Sequence, residues 1–320
     1  MAKKSQSILW ALVLACLLAA CKNEPDQLFT IEDTIEINGS DLYYKRYAIG
    51  QDSVSVWKRE AIVVVHGGPL LEHSYFIPHL DELAKEYQLF FYDQRAAGRS
   101  AIEIDTASMS LNGFVEDIEL LRREMGFKKI NLLGHSWGGL LTMKYAIKYA
   151  GNLNHLILSN STAPSVKDSE AETLEIGLRV TPQESKERDD LVNSGALSSE
   201  DPREAIEKLL LQSFRPQMYN RANLDSLELS VPIDFMKRNQ VYSLLRPDMS
   251  SFDLYPEMEK ITCPVLMIYG ETEPAPNIYT DKISGRVKSA ELVVIKKAGH
   301  FPFIEQRAAY SKAVLEFLKQ

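Results

Sequence analysis

The sequence predicts an α/β fold with a mostly parallel β-sheet. Short apolar runs rich in β-branched residues alternate along the chain with segments of helical spacing, and this alternation is typical of a parallel sheet covered by helices. It stops near residue 165, where a charged, helix-like segment begins, and resumes near residue 250. We therefore expect a core formed by residues 29–164 and 250–320, with an inserted helical cap at residues 165–249.

The individual elements follow from local patterns. A hairpin is expected around Asn38-Gly39, a pair favoured in tight turns between strands. Continuous apolar runs such as 61–65 indicate strands buried on both faces. We predict strands at residues 29–37, 42–49, 61–65, 89–92, 130–133, 155–158, 264–269 and 292–295. We predict helices at residues 75–87, 111–125, 140–149, 170–178, 201–214, 230–245 and 308–319.

Composition limits the possible partners. The chain has 320 residues, of which 45% are hydrophobic and 25% charged, so it can bury a sizeable core. Its net charge of −8 disfavours a polyanionic partner, and we expect no nucleic-acid binding. The six histidines show no metal-ligand spacing, so we expect neither a metal nor a cofactor.

The first residues indicate targeting rather than fold. Lys3 and Lys4 precede an apolar run of residues 8–20, which is short for a bilayer span. The run ends in Ala19-Ala20-Cys21 and resembles the bacterial lipoprotein signal. That resemblance implies cleavage after residue 20, lipidation of Cys21, a polar tether at residues 21–28 and an extracytoplasmic protein anchored to a bacterial membrane. A plain signal peptide or an uncleaved anchor is the alternative. Only Cys263 then remains as a free thiol, and it is expected to be a core residue.

The most specific motif is Gly134-His135-Ser136-Trp137-Gly138. It lies between a predicted strand and a predicted helix, and this arrangement is the nucleophile elbow of serine hydrolases. The turn exposes the Ser136 hydroxyl at the N-terminus of the following helix, where the helix dipole favours developing negative charge. The sequence therefore predicts Ser136 as a catalytic nucleophile.

A serine nucleophile needs a base, and the base needs an acid that orients it. In hydrolases with this elbow, the acid and then the histidine follow the serine along the chain. His300, just after the last predicted strand, is the histidine in a suitable place, whereas His155 starts a core strand. Two carboxylates follow the strand 264–269, and we expect Glu273 to be the acid, with Glu271 as the alternative.

An oxyanion intermediate needs two backbone N–H donors. Trp137, directly after the nucleophile, is expected to supply one of them. The loop His66-Gly67-Gly68-Pro69 after the strand 61–65 is expected to supply the other, from Gly68.

Together these motifs resemble the proline iminopeptidase family of α/β-hydrolases. The motifs that carry the resemblance are His66-Gly67-Gly68-Pro69, Asp93-Gln94-Arg95, Gly98-Arg99-Ser100, Gly134 to Gly139, Gly270-Glu271-Thr272-Glu273 and Gly299-His300. The resemblance implies the α/β-hydrolase fold, with an eight-stranded sheet and a helical cap. It also implies a Ser136/Glu273/His300 triad and oxyanion donors at Gly68 and Trp137. Asp93, Arg95 and Arg99 are expected to brace loops.

The chain departs from the family pattern in several places. Leu70 and Ala96 stand where glycine is usual, and Pro274 stands beside the expected acid, where some members carry a carboxylate that binds the substrate's ammonium group. The Trp-Glu pair that many members have in the cap is absent, because the tryptophans are Trp10, Trp57 and Trp137. Four cap acids could bind the ammonium group, and the sequence singles out none of them: Glu170, Glu172, Glu175 and Glu228.

Three functional hypotheses remain. The leading one is a lipid-anchored serine aminopeptidase that releases N-terminal residues from short peptides with a free N-terminus, through an acyl-enzyme. The second is an esterase, lipase or lactonase that uses the same residues, because scaffold and triad do not distinguish esters from amides. The third is a non-catalytic lipoprotein that binds ligands beneath the cap.

Overall fold

The computed structural model describes residues 25–320, so Cys21 and the predicted signal at residues 1–20 lie outside the described residues. The strands are β1 (Gln27–Ile37), β2 (Ser40–Gly50), β3 (Ala61–Val65), β4 (Gln88–Tyr92), β5 (Ile130–His135), β6 (Leu153–Ser159), β7 (Val265–Gly270) and β8 (Ala290–Ile295). They form one sheet in the order β1-β2-β4-β3-β5-β6-β7-β8. Strand β2 is antiparallel to β1 and β4, and all other pairs are parallel. The predicted mostly parallel, eight-stranded sheet is confirmed.

Burial follows position in the sheet. Every residue of the central strands β3, β5 and β7 is buried, as expected for strands covered by helices on both faces. Strands β1 and β8 lie at the edges and are largely exposed. The buried apolar side chains of the described residues form two clusters, one that includes Phe114 and Leu141 and another that includes Phe303 and Val314.

In the described part of the chain, residues 25–320, seven helices are longer than two turns: α1 (Leu111–Glu124), α2 (Trp137–Tyr149), α3 (Val166–Gly177), α4 (Pro182–Asn193), α5 (Arg203–Phe214), α6 (Phe235–Tyr242) and α7 (Arg307–Leu318). Shorter α-helical turns are Ser53–Val56, Asp81–Ala84, Arg246–Met249, Ala275–Ile278, Thr280–Ser284 and Pro302–Glu305. Short 3-10 helices are His73–Phe76, Thr106–Ser108, Ala150–Asn152, Ala196–Ser198, Arg215–Gln217, Arg221–Ser226, Ser243–Leu245 and Tyr255–Lys260. No helix within residues 25–320 has both the length and the apolar character needed to cross a bilayer.

Helices α3 to α6 all lie between β6 and β7, in the segment predicted as the cap. Several hydrogen bonds tie this segment to the rest of the chain. Arg238 donates to the carbonyl of Ser100 at 2.9 Å, and the Tyr242 hydroxyl donates to the carbonyl of Arg95 at 3.0 Å. The division of the chain into a core and a separate cap stays a prediction.

The predicted helix at residues 75–87 is wrong. The structure has a 3-10 helix at His73–Phe76 and a single α-helical turn at Asp81–Ala84. Pro78 explains the break, because proline lacks the N–H that a helix interior requires and disfavours helical dihedral angles in the preceding residue. The predicted helix 230–245 is also shorter than expected, since α6 begins at Phe235, after Pro232.

Helix α4 was not predicted, although the sequence contains a signal for it. Thr181 caps the helix by accepting a hydrogen bond from the Glu184 N–H, and the Glu184 carboxylate accepts one from the Thr181 N–H. This reciprocal pair is the capping box, and Pro182 occupies the first helical position, where proline is favoured. The pattern Thr-Pro-Gln-Glu would therefore have identified the start of the helix.

The parallel strands place four loops at one edge of the sheet. Strands β3, β5, β7 and β8 run in the same direction, so the residues that follow their carboxyl ends lie along a common edge. Gly68, Ser136, Glu273 and His300 follow these four strands in that order. The fold therefore brings residues that are distant in sequence to one side of the molecule.

Candidate active site

Ser136 lies in a strained turn between β5 and α2. Its backbone has φ 54° and ψ −123°, a conformation that is rare for residues other than glycine and that clusters at functional sites. A Cβ on Gly134 would lie 2.5 Å from the carbonyl oxygen of Gly138, so a side chain at residue 134 would clash with the start of α2. The Ser136 side chain makes no capping bond to α2, so its hydroxyl is not engaged by the helix that follows it.

His300 and Glu273 form a buried pair. The His300 Nδ1 atom lies 3.2 Å from Glu273 Oε2, and the two residues are 7% and 3% exposed. Burial lowers the pKa of His300, but the charge of Glu273 and its hydrogen bond outweigh burial and raise that pKa. Among residues 25–320 the His300 ring bonds Glu273 and not the Ser136 hydroxyl. The hydrogen bond between a catalytic histidine and its serine is often long without substrate and shortens only when substrate binds.

Of the two candidate acids, the structure brings Glu273 to His300. Glu271 instead contacts the turn after the edge strand β8, where its carboxylate accepts bonds from the Lys296 ammonium group at 3.1 Å and the Lys297 N–H at 2.8 Å. The Lys297 bond and the adjacent lysine charge lower the pKa of Glu271. Glu273 Oε1 has no hydrogen-bond partner among the described residues, so this atom is available to a bound group.

The loop after β3 places two glycines beside Ser136. A Cβ on Gly67 would lie 3.0 Å from the Ser136 Cβ, so the backbone of this loop directly approaches the nucleophile. Gly68 has φ +125°, and a Cβ there would lie 2.5 Å from the Leu71 nitrogen, so glycine is required. Within residues 25–320 the N–H groups of Gly68 and Trp137 donate no backbone hydrogen bond. Both are therefore available to an oxyanion.

A chain of hydrogen bonds joins this loop to the residues on either side of the site. The Gly67 N–H donates to the Tyr75 hydroxyl at 2.7 Å, and the Tyr75 hydroxyl lies 2.9 Å from His135 Nδ1. His135 Nε2 lies 2.9 Å from the His300 carbonyl oxygen. A carbonyl only accepts, so His135 carries its proton on Nε2 and Tyr75 donates to Nδ1. Burial also holds the pKa of His135 well below its usual range, which keeps the ring neutral.

Gln94 connects the same loop to the elbow from the other side. Its side-chain amide donates to the His66 carbonyl at 2.7 Å and accepts from the Trp137 indole N–H at 2.8 Å. The Gln94 backbone N–H donates to His66 Nε2 at 3.0 Å, so His66 carries its proton on Nδ1. Gln94 is fully buried. One side chain therefore fixes the spacing between the segments that hold Gly68 and Trp137.

The loop that carries His300 is fixed by the cap segment and by Glu305. The His300 N–H donates to the Gln217 carbonyl at 2.9 Å. The Glu305 carboxylate accepts from the N–H groups of Gly299 at 2.6 Å and Asn220 at 2.9 Å. The position of the imidazole therefore depends on contacts with residues 215–223.

Among the cap acids named from the sequence, Glu172 is the one buried near the predicted triad. It is 9% exposed, and the Tyr279 hydroxyl lies 3.0 Å from its Oε1 atom. Burial, followed by the charge of Glu273, raises its pKa to about 7, and the charge of His300 acts in the opposite direction. Glu170 and Glu175 lie on the same helix, α3. The sequence did not reveal that Glu172 is the buried member of this set of acids, because its burial depends on packing against Tyr279, which is distant in sequence.

The residues expected to brace loops do so. Asp93 is buried, contacts His73 Nδ1 at 2.7 Å and accepts from the Arg99 N–H at 2.8 Å. Arg95 forms a buried ion pair with Asp117. Ala96 has φ 54°, which explains why glycine would suit this position. Glu72, His73 and Asp93 form the one group of metal-ligand type within residues 25–320, and the contacts above already occupy the Asp93 oxygens.

Two cavities in the described part of the chain are each lined by one residue of the candidate site, Glu273 in one and Gly68 in the other. The larger, of about 950 Å³, is lined by Glu273 and by the charged side chains of Glu175, Arg179, Arg221 and Glu271. The second, of about 540 Å³, is lined by Gly68 and mostly by apolar side chains. Leu70 and Leu71 line the second cavity, whereas Pro274 lines the first.

Comparisons with known proteins agree with this architecture. Residues 60–306 match the family model described as the alpha/beta hydrolase fold. The chain is 27% identical over 307 residues to a proline iminopeptidase of Saccharolobus solfataricus, covering 89% of this chain and 91% of the relative. Its fold is similar to a crystal structure of proline iminopeptidase from Mycobacterium smegmatis, with a TM-score of 0.64 at 20% identity over 91% of this chain and 98% of that one. It is also similar to a thermophilic esterase from Thermogutta terrifontis, with a TM-score of 0.63 at 19% identity over 90% and 98% of the two chains.

Proposed function

Because the chain belongs to the alpha/beta hydrolase fold family, we propose that it is a serine hydrolase whose main activity is that of an aminopeptidase resembling proline iminopeptidase. The observation that carries the proposal is the arrangement at the carboxyl edge of the sheet. A strained serine, a buried histidine–carboxylate pair and two free N–H groups lie on adjacent loops. Acyl transfer needs these groups together.

The proposed mechanism assigns one role to each group. Ser136 Oγ attacks the scissile carbonyl while His300 Nε2 takes its proton, and the Gly68 and Trp137 N–H groups donate to the oxyanion. Glu273 accepts from His300 Nδ1–H and stabilises the imidazolium. His300 then protonates the leaving amine as the C–N bond breaks. Water, deprotonated by His300, attacks the acyl-enzyme and releases the N-terminal residue with Ser136 restored.

Glu172 is the residue that supports a substrate with a free amino group. It is a buried carboxylate whose charge interacts with Glu273 and His300. A substrate ammonium group bound there would offset both burial and the repulsion from Glu273, which together hold its pKa near 7. The peptide's first residue would then lie between Glu172 and Ser136. This supports a peptide substrate with an unblocked N-terminus.

Paired arylamide substrates test this proposal. We expect turnover of alanine and proline arylamides and none of their N-acetylated forms, because acetylation removes the positive charge. Glu172→Gln should raise KM for the free-amine arylamides and leave an uncharged aryl ester unaffected. Equal turnover of acetylated and free arylamides would refute aminopeptidase activity. The second proposed function, an esterase, is favoured by the apolar cavity and would show as turnover of aryl esters alone.

We also propose that the mature protein is anchored through a lipid on Cys21, outside the cytoplasm of a bacterium. The proposal is supported by Lys3, Lys4, the apolar run and the small residues before Cys21. The tether would then end at residue 26, because residues 27 and 28, which the sequence assigned to it, belong to strand β1. Cys21→Ser should move the protein from the membrane fraction to the soluble fraction, and unchanged membrane binding of this variant would refute the anchor.

A further inference from the structure

The apolar cavity contacts both parts of the proposed machinery. One end is lined by Gly68, whose N–H is free and whose neighbour Gly67 approaches the Ser136 Cβ. Its wall includes Phe214, whose ring lies nearly parallel to that of His300, with 6.2 Å between centroids and 14° between planes. A group in this cavity therefore lies against the oxyanion loop and against Phe214, and the Phe214 ring in turn stacks on the imidazole of His300.

The lining is built from two separate parts of the chain. Leu70 and Leu71 come from the oxyanion loop, and Ile206, Leu210, Phe214 and Met236 come from helices α5 and α6. Ile206 and Leu71 are buried, whereas Met236 is 53% exposed, so the cavity has an apolar interior and an accessible rim. The charged side chains of the first cavity do not line this one.

From these observations we propose that the cavity binds a large apolar group of the substrate, either an alkyl chain or a side chain of leucine or phenylalanine size, next to the scissile carbonyl. A volume of about 540 Å³ falls within the range typical of small-molecule sites. Apolar walls bind such a group by removing it from water, whereas a charged group would lose its hydration without gaining a partner. The inference rests on the proposed function, because it names the substrate class of the same site.

Binding of two neutral amides to the Ser136→Ala variant tests the cavity without requiring catalysis. N-octylacetamide and N-ethylacetamide share the amide and differ by six methylenes. Burial of each methylene strengthens binding about fourfold, so partial burial of the chain should make the octyl compound bind at least about 50-fold more tightly. Titration calorimetry measures both dissociation constants.

Two further substitutions locate the bound chain. Met236→Asp, combined with Ser136→Ala, places a charge at the accessible rim and should reduce the octyl preference at least about fivefold. Leu178→Asp is the matched control, because Leu178 is 73% exposed on the cap segment and does not line the cavity. It should leave the preference unchanged.

Equal affinity for the two amides would overturn the proposal. A preference for the octyl compound that survives both Met236→Asp and Leu210→Asn in the Ser136→Ala background would place the chain elsewhere and would also overturn it. Failure of the proposed function is a separate result, since it would appear as absent turnover by the wild-type protein while the octyl preference persists.

Discussion

Replacing Tyr75 by phenylalanine removes one oxygen atom from the middle of the hydrogen-bond chain beside Ser136. The Tyr75 hydroxyl accepts from the Gly67 N–H and donates to His135 Nδ1, and Tyr75 and His135 are 2% and 1% exposed. Tyr75→Phe therefore leaves a buried donor and a buried acceptor without partners. Each unsatisfied group costs about 1–3 kcal/mol, so we expect the free energy of unfolding to fall by about 2–6 kcal/mol.

The same substitution should lower kcat more than it changes KM. Gly67 precedes the proposed donor Gly68, and His135 holds the carbonyl of His300, so loss of the hydroxyl loosens both the oxyanion loop and the base. Small misplacements of reacting groups cost up to about 100-fold in rate, and we expect kcat to fall at least about tenfold.

Tyr149→Phe is the matched control for this prediction. Tyr149 is the last residue of α2, at the opposite end of that helix from Ser136. Its hydroxyl lies 2.8 Å from Glu116 Oε2. It should cost about 1 kcal/mol or less and leave kcat unchanged. Urea unfolding and steady-state kinetics at 25 °C measure both quantities. A folded Tyr75→Phe protein with kcat within twofold of the wild type would refute the positioning role of the chain.

Three further predictions concern the same site. Glu273→Gln should lower kcat by about 100-fold or more and move the acidic limb of the kcat/KM profile to lower pH, because Glu273 raises the pKa of His300; an unshifted limb would contradict this. Gln94→Leu should lower kcat about tenfold with little change in KM, because the substitution removes the hydrogen bonds by which Gln94 links His66 to Trp137. An unchanged kcat would exclude a role of Gln94 in positioning the oxyanion donors. For a free-amine arylamide, KM should fall as pH rises through about 7, where the carboxylate of Glu172 forms, and Glu172→Gln should abolish this dependence.

The sequence predicts most of the sheet because its signals are local. The β-branched run Ala61–Val65 indicates a strand, and the glycines around Ser136 indicate a tight turn after a strand, without reference to residues elsewhere in the chain. The helix predicted at residues 75–87 is wrong because Pro78 interrupts a segment whose apolar residues otherwise have helical spacing. Helix α4 was missed because the polar composition of the segment hid the capping box at Thr181.

The supporting residues of the site could not be predicted, because their roles depend on contacts between distant segments. Tyr75 meets His135 across 60 residues, and Gln94 meets Trp137 across 43. The choice between Glu271 and Glu273 depends on Lys296 and Lys297 in the turn after the edge strand β8, because these residues hold Glu271 away from His300. Each of these contacts can be predicted only when the arrangement of the sheet is already known.

Covalent labelling with a fluorophosphonate, followed by mass spectrometry of the labelled peptide, tests the central claim most directly. The account predicts that the label is found on Ser136, that Ser136→Ala abolishes labelling and that His300→Gln slows it by at least about 100-fold. An intact wild-type protein that carries no label, or carries it on another residue, would contradict the proposed catalytic site.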